Sequence, residues 1–324
     1  MEKEKLLIIG CGDVARRALP QLMARYEVAA LSRNPGALPA GVEAIAADLD
    51  HPEKHDWRAF PADCILHSAP PGDTGAIDVR TRNLLASLSP SSPLLRRRMV
   101  ARRFVYISTS GVYGDCDGDW VDESRPVNPL SDRARRRVDA ERALLAWGEA
   151  AGVNVSVLRV PGIYAADRLP LERLRRGTPA LRPEDDVYSN HIHADDLAAI
   201  CVAALERASA GGIYNAADDS ELKMADYFDL VAGRAGLPPP PRISRDEARQ
   251  KIAPALLSFM SESRRLRNSR MKNELGVVLR YPTVYDGVPD LRTPNTGTPN
   301  TGTPNTGTPD PNEITNAKRD EKTP

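Results

Sequence analysis

The sequence is poor in cysteine and in aromatic residues. It has four cysteines in 324 residues, Cys11, Cys64, Cys116 and Cys201, and no two of them form a Cys-x-x-Cys pair. This spacing predicts neither a zinc site nor a disulfide framework and is typical of a reducing compartment. Aromatic residues make up 5% of the chain, which argues against base-stacking platforms for nucleic acid.

Net charge and long apolar runs are absent as well. Lys+Arg and Asp+Glu are balanced at 44 each, so no overall field attracts nucleic acid or an anionic membrane. Acidic residues lie near several basic runs, such as Arg135–Arg137, which we interpret as solvated helix faces. No apolar run approaches the ~20 residues of a membrane span, and Met1–Lys5 has no signal-peptide pattern. We therefore predict a cytoplasmic protein that binds neither nucleic acid nor membrane.

The most informative stretch is Leu6–Ala15, an apolar run that ends in two glycines one residue apart. Such a run is typical of a strand buried on both faces, and helical apolar spacing follows it. Strand, glycine-rich turn and helix form the first half of a dinucleotide-binding unit. Gly10 would permit the tight turn, Gly12 would let the backbone approach the pyrophosphate, and Ala15 stands at the close-packing position. Turn glycines after buried strands are common, so this fingerprint alone is a weak indicator.

The end of the second predicted strand bears on the choice of cofactor. About twenty residues beyond the glycines, NAD-binding proteins place a carboxylate on the ribose 2′-hydroxyl, whereas this chain has Ser32 and Arg33. A guanidinium can bind a phosphate through two N–H groups. The pair therefore favours NADP, with NAD as the second option. The alternative is an ordinary exposed arginine after a strand.

Apolar strands and helical segments alternate along the first half of the chain. The predicted strands after the first are residues 27–33, 41–49, 62–72 and 103–111, and residues 78–88 have helical spacing. This alternation predicts an α/β protein with a doubly wound parallel sheet of Rossmann type. Ligands bind outside the carboxyl ends of the strands in such sheets. The residues predicted at that rim are Gly10, Gly12, Ser32, Arg33, Asp48, 67–71 and 108–110.

Four motifs in order along the chain resemble the extended short-chain dehydrogenase/reductases, the NAD-dependent epimerase/dehydratase group. They are Ser-Thr-Ser-Gly-Val-Tyr-Gly at 108–114, Leu-Arg-Val-Pro-Gly-Ile-Tyr at 158–164, His-Ile-His-Ala-Asp-Asp-Leu-Ala at 191–198 and Gly-Ile-Tyr-Asn-Ala-Ala-Asp-Asp at 212–219. The resemblance extends from Leu6 to about Val288. It implies a domain over residues 1–292, with a smaller substrate lobe formed mainly by about 160–190 and 215–290.

The resemblance also implies roles for the hydroxyl residues after the fifth strand. Thr109 stands where the family binds the reacting substrate oxygen, and Ser110 lies beside it. The alternative for Thr109 is a strand-end hydroxyl that caps a turn.

The chain departs from the family at the Tyr-x-x-x-Lys pair, in which Tyr is the acid–base group and Lys lowers its pKa. Counting back from Glu141, the Lys position holds Arg137 and the Tyr position holds Arg133. Arginine does not exchange a proton near neutral pH. The chain therefore resembles the atypical branch of the superfamily, which includes reductases, epimerase-like enzymes and dinucleotide sensors such as NmrA-type regulators.

Several residues are candidates for the missing functions. Tyr113 is the first candidate acid, with a packing role as the alternative, and Tyr164 is the second. Arg137 either keeps the Lys role at the nicotinamide ribose or is a surface charge. His191 and His193 are expected to shape the turn into the next helix rather than bind a metal. The predicted cofactor-binding residues are Gly10, Gly12, Asp13, Val14, Ser32, Arg33, Asp48, Leu49, Ser68, Ala69, Pro70 and Arg137.

Two functions stay open at this point, and a third, an anion- or nucleic-acid-binding module built on the arginine runs, has little support without a basic net charge. One is an NADP(H)-preferring oxidoreductase or epimerase-like enzyme that acts on a small polar substrate derived from a sugar or a nucleotide. The other is a non-catalytic NAD(P)(H)-binding sensor. Relatives often dimerise, which leaves a homodimer open. From Thr293 the unit Thr-Pro-Asn-Thr-Gly repeats; it has nothing apolar to bury, so residues 293–324 are predicted to be a disordered tail.

Overall fold

The computed structural model describes residues 2–52, 60–88 and 101–292. Its strands, in chain order, are β1 (Glu4–Ile9), β2 (Tyr26–Ser32), β3 (Glu43–Ala46), β4 (Cys64–His67), β5 (Arg103–Thr109), β6 (Trp120–Val121), β7 (Asn154–Val160), β8 (Gly162–Tyr164), β9 (Ala180–Leu181), β10 (Tyr188–Ser189), β11 (His191–His193), β12 (Ile213–Asn215), β13 (Leu222–Lys223), β14 (Arg242–Ile243) and β15 (Arg265–Leu266). Its helices are α1 (Asp13–Arg25), α2 (Val79–Leu88), α3 (Asp132–Ala151), α4 (Leu171–Arg175), α5 (Ala194–Arg207), α6 (Met224–Arg234), α7 (Arg245–Lys251), α8 (Pro254–Phe259), α9 (Ser269–Leu275) and α10 (Val284–Gly287).

Within the described residues a seven-stranded sheet has the order β12-β7-β5-β4-β1-β2-β3. Each neighbouring pair is parallel. The strand order reverses at β1, where Leu6 pairs with Val28 of β2 on one side and with Cys64 of β4 on the other. Such a reversal opens a crevice at the carboxyl ends of the strands. The predicted doubly wound parallel sheet is confirmed.

The apolar run of β1 explains why this strand is central. Leu6 and Ile8 belong to the core under α1, α5 and α9, while Leu7 and Ile9 belong to the core under α2 and α3. A strand buried on both faces needs an unbroken apolar run rather than an alternating one. The strands observed at β3 and β4 are shorter than the predicted segments, since the residues on both sides of Glu43–Ala46 and of Cys64–His67 lie in turns, bends or irregular backbone.

Of the smaller apolar cores in the described residues, two lie in the C-terminal half of the chain. One joins α4, α6 and α10 through residues such as Leu174, Phe228 and Val284. The other packs α7 against Leu181 and Met260. Both cores are formed by residues within the segments assigned to the predicted smaller lobe, about 160–190 and 215–290.

Two further predictions concern the C-terminal tail and membrane-spanning helices. The predicted tail, residues 293–324, lies outside the described residues. None of the helices in the described ranges is long and apolar enough to cross a membrane.

Candidate active site at the carboxyl edge of the sheet

The turn after β1 requires glycine at its first position. Gly10 has a φ of +84°, a conformation that disfavours a side chain. A Cβ there would also lie 2.8 Å from the backbone nitrogen and Cα of Ala69, in the loop after β4. Gly10 N–H donates to Leu31 O at 3.1 Å. The turn is therefore fixed between the ends of β2 and β4.

Gly12 has a different environment. It is the N-cap of α1, with φ of −80°, which any residue can adopt. A Cβ built on Gly12 would meet no atom of the described chain within 4 Å. Neither backbone conformation nor packing within the described residues explains a glycine here. A close approach by a bound molecule would explain it.

The first turn of α1 carries an ion-pair network. The Asp13 carboxylate accepts from Arg17 Nε at 3.0 Å and from Arg168 Nη1 at 2.9 Å. Arg17 also donates to Asp167 at 2.7 Å and to Asp195 at 2.8 Å. Both carboxylate oxygens of Asp13 are thus bonded to arginines. Asp13 would therefore contact a cofactor through its backbone N–H. The next residue, Val14, is buried in the core.

The ends of β2 and β3 lie beside this turn. Ser32 Oγ accepts from Asn34 N–H at 3.1 Å, which shapes the loop. Arg33 is exposed and makes no hydrogen bond or salt bridge within the described ranges. Asp48 Oδ1 accepts from Asp50 N–H at 3.0 Å. The carbonyl oxygen of buried Leu49 accepts from Asn83 Nδ2 at 2.8 Å.

The loop after β4 closes the same edge. Ser68 N–H and Ala69 N–H both donate to Ile9 O, at 2.9 and 2.8 Å, and the Ser68 hydroxyl donates to Gly10 O. Arg80 donates to Pro70 O at 3.2 Å and forms a two-bond ion pair with Asp50 at 2.8 and 2.6 Å. The structure therefore brings the predicted rim residues of β1, β3 and β4 together.

Thr109 ends β5 and caps the 3-10 turn Ser110–Tyr113. Its Oγ1 accepts from Gly111 N–H at 3.3 Å, and the residue is half-buried. The capping alternative is thus observed. It is compatible with the substrate role, because the hydroxyl hydrogen stays available for donation. Ser110 is buried beside it.

Tyr113 has the placement of a packing residue. Its side chain is 1% exposed, its hydroxyl donates to Asn215 Oδ1 at 2.8 Å, and the Arg159 guanidinium lies 4.7 Å from the ring centre. Burial raises the pKa of Tyr113 to about 12. A buried phenol with an occupied hydroxyl does not fit the acid role that the sequence suggested. Tyr164 is equally buried, and its hydroxyl donates to Thr283 O at 3.1 Å.

A buried ion pair sets the position of α3. Arg159 of β7 donates to Glu141 Oε2 at 2.8 Å, with both side chains 5% exposed. Ser108 of β5 donates to Glu141 Oε1 at 2.5 Å. Glu141 therefore joins α3 to two strands, and this contact places the preceding helical turns at the end of β5.

The arginines of α3 have contrasting surroundings. Arg137 is half-buried and donates to Tyr106 Oη at 3.0 Å and to Ile107 O at 2.9 Å, so it is not a surface charge. Arg136 is 6% exposed and donates to Gly75 O. The interpretation of this run as a solvated face is therefore wrong for Arg136. It is correct for exposed Arg135.

One buried histidine was missed by the sequence analysis as a separate feature. His67 Nε2 lies 3.1 Å from Thr81 Oγ1, which donates to Asp78 Oδ2 at 2.8 Å. Burial and the nearby charge of Arg137 lower the pKa of His67 to about 3, so it is neutral. A histidine at the end of an apolar strand was the signal that could have identified it.

Of the two histidines of β11, His193 shapes the turn into α5 as expected, whereas His191 packs against the rings of Tyr164 and Tyr227. His193 Nδ1 accepts from Asp195 N–H at 3.2 Å and so caps the helix. Burial lowers the pKa of His191 to about 4. In the parts of the chain that the structure describes, no group of three or more His, Cys, Asp or Glu residues could hold a metal ion.

Comparison with known proteins agrees with this geometry. The chain is similar in structure to a conserved protein of unknown function from Silicibacter pomeroyi, with a TM-score of 0.74, 32% identity, and coverage of 90% of this chain and 98% of that one. It shares its fold with MoeE5, solved in complex with UDP-glucose and NAD, at a TM-score of 0.68 and 19% identity over 89% of this chain and 97% of the other.

A curated relative is a trifunctional UDP-glucose 4,6-dehydratase, 3,5-epimerase and reductase of Arabidopsis thaliana. It is 23% identical over 46% of this chain, and the match spans 24% of the relative's length. The model of the NAD dependent epimerase/dehydratase family matches residues 6–217, from the first strand to the segment after β12. This chain belongs to the NAD-dependent epimerase/dehydratase family.

Proposed function

We propose that the chain binds NADP(H) at the edge formed by β1, β2 and β4 and transfers hydride to or from a small polar substrate. The observation that carries the proposal is the contrast between Gly10, which the fold requires, and Gly12, which it does not. An open glycine at a helix N-terminus suits a pyrophosphate, because the N–H groups and the positive end of the helix dipole point there.

The preference for NADP rests on Arg33. This guanidinium is exposed at the end of β2 and has no salt bridge within the described residues. It is therefore available for a 2′-phosphate, with Ser32 beside it. The loop Ser68–Pro70 would border the cofactor on the other side, and Arg137 would carry positive charge near the nicotinamide ribose.

Thr109 is the residue to which we assign the substrate oxygen. Its hydroxyl can donate to that oxygen while its lone pair holds Gly111 N–H. The bound nicotinamide supplies or accepts the hydride. Nucleotide-sugar ligands of relatives, such as the UDP-glucose in the MoeE5 structure, support a substrate derived from a sugar or a nucleotide.

Calorimetry with NADPH and NADH tests this proposal. We expect the wild type to bind NADPH more tightly than NADH, and Arg33→Ala to lose most of that difference. Arg249→Ala, which removes an exposed arginine of α7 that pairs with Asp246, is the matched charge control. If neither NADPH nor NADH binds, the proposal is refuted.

A second candidate is a dinucleotide sensor without turnover. Arg133 and Arg137 at the Tyr and Lys positions favour it, because arginine cannot exchange the proton that the family mechanism needs. If NADPH binds but a substrate screen finds no turnover, the sensor is the better description, whereas turnover that Thr109→Ala retains would refute only the role assigned to Thr109.

A further inference from the structure

The first turns of α3 divide their arginines between two faces. At 3.6 residues per turn, Arg133, Arg136 and Arg137 fall on one side of the helix and Arg135 on the opposite side. Arg135 is exposed and pairs with Asp132 at 2.7 Å. The other three make no salt bridge with a carboxylate among the residues that the structure describes.

Two of the three arginines are held by uncharged oxygens. Arg137 donates to Tyr106 Oη and Ile107 O, and Arg136 donates to Gly75 O. Arg136 is also more than nine-tenths buried, and its Nε has no hydrogen-bond partner within the described residues. Burying a cation without a counter-ion is costly. Such an arrangement is stabilised when an anion is bound nearby.

This face lies next to Thr109. Ile107, which binds Arg137, is two residues before Thr109 in β5. At the end of the 3-10 turn that follows, Arg264 Nη1 donates to Gly114 O at 2.7 Å, and its Nε is buried with no hydrogen-bond partner in the described ranges. Both sides of the turn therefore carry a guanidinium with an unused N–H group.

The acidic groups nearby are already engaged. Glu262 exerts an attraction on Arg133 but pairs with Arg264 at 2.9 Å. Asp139 of α3 pairs with Arg82 at 2.6 Å. Asp78, a buried carboxylate whose charge acts on Tyr106, accepts from Thr81 Oγ1 at 2.8 Å. Three arginines without a carboxylate partner outnumber this one carboxylate, so positive charge is in excess on this face of α3.

Arg133 is the arginine best placed to contact a ligand. It is exposed, and its guanidinium stacks 4.8 Å from the ring centre of Phe259 in α8. Stacking on an aromatic ring orients the guanidinium and leaves its N–H edge available for two parallel hydrogen bonds. Arg133 also occupies the position that the family assigns to the catalytic tyrosine.

We infer that the substrate carries an anionic group, a carboxylate or a phosphoryl group, bound by Arg133 beside Arg136 and Arg137. The inference deepens the proposed function and rests on it, because it describes the substrate that Thr109 would hold. A dianion with planar or tetrahedral oxygens matches the bidentate geometry of guanidinium.

Calorimetric titration with two small dianions tests the inference. Malonate represents the carboxylate and methyl phosphate the phosphoryl group, and each is added to the full chain with and without saturating NADPH at fixed ionic strength. We expect one of them to bind the wild type and to bind Arg133→Gln at least tenfold more weakly. Arg135→Gln, on the opposite face, and Arg249→Ala, an exposed arginine of α7, should stay within twofold of wild type.

The outcomes separate this inference from the proposed function. If NADPH binds but neither dianion does, or if Arg133→Gln binds dianions like the wild type, the inference is wrong and the cofactor proposal stands. If NADPH fails to bind while the Arg133-dependent dianion binding persists, the cofactor proposal is wrong and the anion site stands. An equal loss in Arg135→Gln would show that only general positive charge is measured, and would also overturn the inference.

Discussion

The β1–α1 turn and the β5–α3 region lie at the same edge of the sheet, but they specify their sites by different means. At the turn, the determinant is backbone conformation, with Gly10 at positive φ against Ala69. At β5–α3, the determinants are side chains, and Arg137 donates to Tyr106 Oη and Ile107 O. The comparison teaches that one edge of a sheet can define one candidate site by backbone conformation and a neighbouring one by side-chain contacts.

The largest effect is expected at the buried ion pair of the β5–α3 region. Glu141→Gln leaves the Arg159 charge buried without compensation, so the free energy of unfolding should fall by about 3–5 kcal/mol. Arg135→Gln removes only an exposed pair on the same helix and should cost less than about 0.5 kcal/mol. Urea denaturation measures both. Equal losses would show that α3 does not depend on the buried pair.

The glycine turn offers the next largest effect and a matched pair of variants. Gly10→Ala combines positive φ with a 2.8 Å approach to backbone, so the free energy of unfolding should fall by about 2–4 kcal/mol. Gly12→Ala should leave stability unchanged, since its Cβ meets no described atom. It should nevertheless weaken NADPH binding at least tenfold. Denaturation and calorimetry distinguish the two, and a stability loss in Gly12→Ala would contradict this account.

Titration extends the comparison to two buried groups at strand ends, because burial lowers the pKa of His67 and raises the pKa of Asp218. His67, after the apolar run of β4, has its pKa lowered to about 3, so its contribution to stability is present above pH ~6.5 and lost as the pH falls towards 3. Burial raises the pKa of Asp218, after β12, to about 7. Its contribution is complete below pH ~4 and lost as the pH rises through 7.

We expect the unfolding free energy, measured from pH 4 to 8, to fall by about 1–3 kcal/mol towards the acid end, the acid limb. A similar fall is expected as the pH rises through 7, the neutral limb. His67→Gln is expected to reduce the acid limb, to which His191, with a pKa lowered by burial to about 4, also contributes, and Asp218→Asn the neutral limb. If Asp218→Asn keeps the full decline between pH 5 and 8, another group is responsible for it.

The smallest effect is expected at the far end of the chain. Deletion of residues 293–324 removes a repeat with nothing apolar to bury, so the melting temperature and the affinity for NADPH should not change. Differential scanning calorimetry measures the first quantity. A loss of several degrees would refute the prediction and would make the repeat part of the folded unit.

The fold could be predicted from the sequence because its signals are local. The apolar run of β1, the glycine spacing after it and the alternation of strands and helices each span a few residues, and together they determine a parallel sheet. The lobe could be placed only approximately from sequence, since its two small cores combine short segments that lie far apart in the chain.

The environment of individual side chains could not be predicted in the same way. Tyr113 packs because Asn215, more than a hundred positions later, accepts its hydroxyl hydrogen. Arg136 is buried because Gly75, from the loop after β4, supplies a carbonyl. Both partners are distant in sequence, and neither tyrosine nor arginine reveals from its neighbours whether it faces solvent. The residues that sequence placed correctly on the rim are those that follow directly from strand ends.

The ion pairs of Arg17 have a consequence for local unfolding. Arg17 in α1 contacts Asp167, after β8, and Asp195, in the first turn of α5, over separations of 150 and 178 residues. Opening of the α1 N-terminus therefore breaks contacts with both segments at once. We expect the amide hydrogens of these three regions to exchange with solvent together, as one cooperative unit. A ligand that slows exchange at the glycine turn would then slow it in residues 165–168 as well.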